Sequence, residues 1–198
     1  CENDCLYGFD FNSADEQTDQ NGFRVIYHKD IITDTSLLIS DDDIPCDSFS
    51  SDEYDFPLKK EFILCAEEPD KCPATPNDYR FSNALVSSYS EIMGQEVSNY
   101  WNIDGYDTLY DRCPESVAFI GGYPRFTQSD PREDCPSLEG FDRVLFELGS
   151  LQGEEITSWG GHDFDIIWGD VGTGVFLIPA EKLRACDFSE VVYNYDCG

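Results

Sequence analysis

Residues 159–179 read WGGHDFDIIWGDVGTGVFLIP, the run with the most structural instruction in the fewest residues. Ile166, Ile167 and Trp168 form a short apolar run that stops at Gly169-Asp170, and Val175 to Ile178 form a second. Gly172 and Gly174 between them can take positive φ without steric cost, so the stretch predicts two strands joined by a tight connection, a hairpin. Large apolar side chains on both sides of a Gly-Asp turn point to a buried sheet, with a ligand-binding loop as the functional alternative. The rest of the chain is expected to gather around this hairpin.

On its N-terminal side, residues 117–128 read VAFIGGYPRFTQ, a strand running into a Gly-Gly-Tyr-Pro turn. Glycines admit close backbone approach, and Gly121-Gly122-Tyr123-Pro124 is predicted to pack against the 166–178 hairpin, since both segments need a neighbour to satisfy their backbones. Arg125, Gln128, Asp130 and Arg132 follow; they can hydrogen-bond a buried loop or a ligand, and the loop is the expected use. Val144–Leu148 reads as a strand leading into Gly149 and Gly153, Pro179 opens a short helix, and Phe188–Tyr195 closes the chain as a strand.

Further upstream, Phe23, Val25 and Tyr27 alternate as one face of a strand, and Phe62–Cys65 forms a second short one. Three prolines in AEEPDKCPATPND, residues 66–78, forbid helix until Asn77 or Asp78 caps one. From Tyr79 to Tyr100, Leu85, Tyr89, Ile92, Met93 and Val97 recur at helical spacing, which predicts a core-facing stripe that Gly94 divides. Residues 101–114 are expected to form a short helix or an irregular cover. Residues 1–21 read as an irregular segment packed by Leu6, Tyr7, Phe9 and Phe11, and residues 40–55 as an acidic loop.

With 198 residues, the chain suits one domain at about 150 residues per domain. Hydrophobic residues make up 40% and aromatics 14%, enough for a ring-rich core. The 41 acidic and 12 basic residues give a net charge of −29, which opposes nucleic-acid binding and suits cations, basic partners or simple solvation. No run reaches the roughly 18 apolar residues of a membrane span.

Nine cysteines, none in Cys-x-x-Cys spacing, point to a disulfide framework in an oxidising compartment and so to an exported protein at the cell surface or outside it. Nearest neighbours suggest Cys65 with Cys72, Cys113 with Cys135 and Cys186 with Cys197. Cys1 with Cys5 would leave Cys46, whose acidic surroundings should raise its thiol pKa and slow its reactions. The chain begins at Cys1 without an initiator methionine, as expected either of a cleaved signal peptide, with Cys1 open to lipidation, or of a fragment of a longer chain.

Three stretches, GGYPRFTQSDPRED at 121–134, IIWGDVGTGVFLIP at 166–179 with EKLRACDFSEV at 181–191, and GFRVIYHKDI at 22–31, resemble the YwqG-like family of proteins of unknown function. The resemblance runs from about Tyr7 onward, and the N-terminal portion of the family has no counterpart here. It implies one YwqG-like domain over 1–198 with an α+β fold, mainly antiparallel sheet with a few short helices, and no activity, cofactor or catalytic residue. The usual members look cytoplasmic and cysteine-poor; the nine cysteines and an expanded 149–165 loop set this chain apart as an exported relative.

No catalytic residue stands out. His28 and His162 are the only histidines, and Ser158 lacks the Gly-x-Ser-x-Gly elbow of a hydrolase. Asp163, Asp165 and Asp170 flank the expected hairpin with room for a cation, and hard carboxylates favour calcium, so Asp42, Asp43, Asp165 and Asp170 are the candidate metal ligands. The solvent-facing loop is the structural alternative. Two function classes remain open. One is a non-enzymatic secreted or surface binding and assembly module, with protein partners or self-assembly as a subunit of an extracellular structure. The other is a metal-assisted hydrolase with its site near Gly121-Gly122 and His162.

Overall fold

Residues 23–37, 64–65, 75–111, 117–156 and 162–196 are described by the computed structural model of the chain. Among them the helices are α1 (Tyr79–Met93), α2 (Asp107–Tyr110), α3 (Pro131–Asp134) and α4 (Ala180–Ala185). The strands are β1 (Ala118–Phe119), β2 (Arg143–Gly149), β3 (Leu151–Ile156), β4 (His162–Ile166), β5 (Thr173–Ile178) and β6 (Val192–Asp196). Every pairing is antiparallel: β1-β2-β5-β6 make a four-stranded sheet and β3-β4 a two-stranded one. The architecture is α+β, mainly antiparallel sheet with short helices.

The strand β5 is buried on both sides because its alternate residues are apolar in both phases. Val175 and Leu177 join Val144, Val192, Phe126, Leu138 and Phe141 in one cluster. Phe176 packs on the other face with Ile166, Trp168, Tyr193 and Tyr195. Full burial of one such aliphatic side chain contributes about 1.5–3 kcal/mol. Phe23 completes the aromatic face, its ring 5.8 Å from those of both Phe176 and Tyr193.

The expected hairpin over 166–178 does not form. Of the first apolar run only Ile166 lies in a strand, the end of β4, which pairs with β3; the second run lies in β5, between β2 and β6. A turn closed by Gly172 N donating to Trp168 O at 2.7 Å carries the chain from one sheet to the other. Ser150 staples that turn, its hydroxyl accepting from Trp168 N and donating to Gly172 O. The left-handed backbone falls on Gly169 (φ 53) and Val171 (φ 57), not on Gly172 or Gly174. Gly174 is required for another reason: a Cβ there would stand 2.7 Å from the Trp168 indole.

Other expectations change in the same way. Gly121 and Gly122 are left-handed, at φ 78 and 76, but Gly121 N bonds Val144 O of β2 rather than the 166–178 segment. The 149–165 stretch is not a loop: β3 and β4 pair across it, with residues 157–161 outside the described ones. Phe23 to Tyr27 forms no strand, and is held by side chains instead, with Tyr27 stacking 5.1 Å from Phe188. Of the expected Phe62–Cys65 strand only Leu64 and Cys65 are described, and neither is in a strand; residues 1–21 and 40–55 lie outside the described residues.

The helix α1 has the expected caps, Asp78 at its start and left-handed Gly94 at its end, so Gly94 terminates the helix rather than dividing it. Its apolar stripe is not core: no residue of α1 is buried, and Ile92 and Met93 are 80% and 58% exposed. Both faces of the larger sheet are already covered, one by residues 126–141 and the other by the aromatic cluster. α1 is anchored through its N-terminal end.

Candidate functional site

That anchor begins with two chain segments lying side by side. Thr75 Oγ1 donates to Pro124 O at 2.9 Å and Asn77 Nδ2 to Phe126 O at 2.7 Å. Asp78 caps α1 by accepting from Arg80 N, and Asp130 caps α3 by accepting from Arg132 N. One buried guanidinium ties the caps together. Arg132 forks onto Asp130 at 2.8 and 2.6 Å, reaches Asp78 Oδ2 at 3.1 Å and donates to Phe141 O at 3.1 Å. Arg80 clamps Asp78 from the other side at 3.0 and 2.6 Å.

The electrostatics of this network favour an ionised Asp78. Burial pulls the Asp78 carboxyl upward, but the Arg80 hydrogen bond and the charges of Arg132 and Arg80 outweigh it, leaving its pKa below the ordinary range. Asp130 also accepts Tyr79 N at 3.1 Å, so both of its oxygens are engaged by the fold. A carboxylate held in this way is a strut rather than a proton-transfer group.

Above the network opens a cleft of about 230 Å³ between the first turns of α1, the Ser98–Trp101 turn and residues 128–133. Its walls carry Asn77, Asn83, Asn99, Gln128, Ser82, Ser98 and Ser129, with Tyr79, Tyr100 and Trp101 as rings and Asp130 and Glu133 as acids. Among the described residues no lysine or arginine lines it. Asn99 caps the 3₁₀ turn Tyr100–Asn102 by accepting from Trp101 N, which fixes the indole at the rim.

A second polar group lies within the sheet. Glu147 of β2 is 1% exposed and accepts from Arg125 N at 3.0 Å and Arg125 Nε at 3.3 Å. Arg125 in turn lies 4.4 Å over the Phe119 ring. Burial raises the Glu147 pKa to about 7, against the hydrogen bonds and charge of Arg125 and with a smaller push from Asp196. The carboxyl of Asp196, which accepts from Gln128 N at 2.8 Å, is likewise raised by burial.

The candidate residues read from sequence fall elsewhere. Asp165 lies on β4 with its carboxylate over Gly153, Asp163 accepts from Phe164 N, and Asp170 is exposed in the turn before β5. Asp42 and Asp43 lie outside the described residues. Among the described residues no three His, Cys, Asp or Glu side chains are grouped to hold a metal ion. His28 is exposed and Ser158 is outside the described residues. Gly121 meets the start of β2, whereas His162 pairs with Ile156 at the far end of β3, on a hairpin that leaves from the other end of β2.

Of the expected disulfides, Cys65 and Cys186 are exposed, Cys135 lies 3.1 Å from the Ser137 hydroxyl, and Cys72, Cys113 and Cys197 lie outside the described residues. No described helix is long and apolar enough to cross a membrane.

The side chains of Arg125, Asp130 and Arg132 serve the fold, the use expected of them, whereas Gln128 bonds Asp196 through its backbone N–H and lines the cleft. Asp78 was legible only as a helix cap, and the cleft residues were missed because they come from three separate pieces of chain. Glu147 left a faint signal, a lone acid inside the apolar run VLFEL.

A family model described as a domain of unknown function (DUF1963) matches residues 1–197. No curated protein matches the chain.

Proposed function

The chain belongs to the DUF1963 family, and from that premise we propose that it is a non-enzymatic binding and assembly module of an exported protein, with the polar cleft as its binding surface. The YwqG-like motifs are read as those of this same family. The observation that carries the proposal is the cleft of about 230 Å³ set on the buried Asp78–Arg132–Asp130 network. A preorganised recess whose buried acid, Asp130, is held by Arg132 and by backbone donors favours recognition over proton-transfer chemistry. Its partners are proteins or further copies of the chain, each engaging so small a recess through a single group.

Export is supported by the nine cysteines and the charge of −29. Calcium belongs to the proposal as a counter-ion of Asp42, Asp43, Asp165 and Asp170, and lipidation of Cys1 as a second means of attachment. Mass measurement with and without reduction reads the compartment. Bridges joining Cys65 to Cys72, Cys113 to Cys135 and Cys186 to Cys197 are expected, and an acyl-sized increment on the N-terminal peptide would mark a lipid. Nine free thiols in the native protein would overturn export.

Photo-crosslinking tests the surface. A benzophenone amino acid at Ser98, on the cleft, is expected to give adducts on the cells that produce the protein. The same group at Glu181, on α4 and away from the cleft, should not. Equal yields from both positions would remove the cleft from the proposal.

A further inference from the structure

We propose that the cleft binds a neutral carbohydrate, with one sugar ring set against Trp101 and hydrogen-bonded by the side-chain amides of Asn83 and Asn99. This rests on the binding-module reading and names its ligand class. Among the described residues the lining contains no cation; Asp130 is already paired with Arg132, and Glu133 remains as an acid, so phosphates, sulfates and carboxylates would find no basic partner there. An apolar ligand would strip water from amides and hydroxyls without replacing their hydrogen bonds. A polyhydroxylated ring satisfies both constraints, since each hydroxyl both donates and accepts, as does each side-chain amide.

The aromatic component is already in place. Trp101 is 52% exposed and yet fixed, its ring 4.0 Å from that of Tyr100 and 5.6 Å from that of Tyr106 at 85°. A large ring held still while half in water offers an apolar surface to the C–H face of a sugar at little entropic cost. Asn99 uses its oxygen to cap Trp101 N, which leaves its amino group to donate. Asn83 is exposed on α1 at the cleft. The volume of about 230 Å³ falls below the ~300–1,000 Å³ of pockets for drug-sized ligands. It holds one ring, a chain end or a single residue, rather than an extended glycan.

The test is saturation-transfer NMR on the full chain with the methyl glycosides of glucose, galactose, mannose and N-acetylglucosamine, alongside a library of neutral peptides. At least one glycoside is expected to bind, with affinity falling tenfold or more in Trp101→Ala and several-fold in Asn83→Ala. Both residues are exposed, so unchanged melting temperatures should show that the variants remain folded. Glycoside binding that both variants retain would overturn the proposal, because the sugar would then sit elsewhere. Binding of peptides alone, lost in Trp101→Ala, would overturn the carbohydrate assignment and leave the binding-module reading standing. No binding of either class would overturn the carbohydrate assignment, while crosslinking from position 98 would still decide the broader reading.

Discussion

Replacing Arg132 with methionine is expected to destabilise the protein by about 3–5 kcal/mol, the usual range for removing one partner from a buried ion pair. The side chain is 2% exposed and faces two buried carboxylates, Asp78 and Asp130. Methionine fills much of the volume but offers no donor. Asp78 keeps Arg80, whereas Asp130 retains only the backbone donors Tyr79 N and the N–H of residue 132. For a chain of this size the loss corresponds to a fall in melting temperature of about 6–20 °C. Adding Asp130→Asn should restore part of the stability, since the unpaired charge is then neutralised. A loss under about 1 kcal/mol in urea unfolding would place the network in water rather than in the interior.

The same network sets the acid limit of stability. The pKa of Asp78 is lowered in the fold, so its contribution is present above the unfolded value near 3.9 and is lost as pH falls through the lower folded value.

Glu147→Gln is expected to reverse its effect on stability between acid and alkaline pH. The folded pKa of about 7 lies above the ordinary 4.5, so the fold favours the protonated form. That contribution is fully present below about pH 4.5, declines as pH rises, and is gone above about pH 7. At about 1.4 kcal/mol per pKa unit the full swing amounts to about 3.5 kcal/mol, of which about 2–3 kcal/mol falls between pH 5 and pH 8. Glutamine keeps an acceptor for Arg125 and cannot ionise. The variant should therefore gain on the wild type by about 4–12 °C in melting temperature from pH 5 to pH 8. Many surface acids titrate over the lower part of this range, and taking the difference between the two curves removes their shared effect. Parallel curves would mean that Glu147 is ionised throughout and paired with Arg125 as an ordinary salt bridge.

Much of the local structure could be read from residues alone. Asp78 and Gly94 bound α1 because a carboxylate satisfies free N–H groups and glycine accepts a left-handed residue. Pro179 begins α4, and the runs VLFEL and VFLI fall in β2 and β5, for similarly local reasons. The antiparallel α+β class came from motif resemblance, and the pairings agree with it.

Which strands pair was decided only in three dimensions. The 166–178 sequence satisfies hairpin rules, yet β5 finds its partners in β2 and β6, because a strand covered on both faces is cut off from water and needs a hydrogen-bonding neighbour on each edge. The Trp168 indole over Gly174 and the Ser150 staple then turn a local connection into a crossing between sheets. The helical stripe ending in Ile92 and Met93 had the period of a core face, but period reports only which residues share a side, and what covers that side is set by the sheet. The cleft likewise has no sequence signature. Asn83, Trp101 and Gln128 acquire a common role only when Arg132 draws two helix caps together, and a charge that bridges segments 54 residues apart leaves no trace in local pattern.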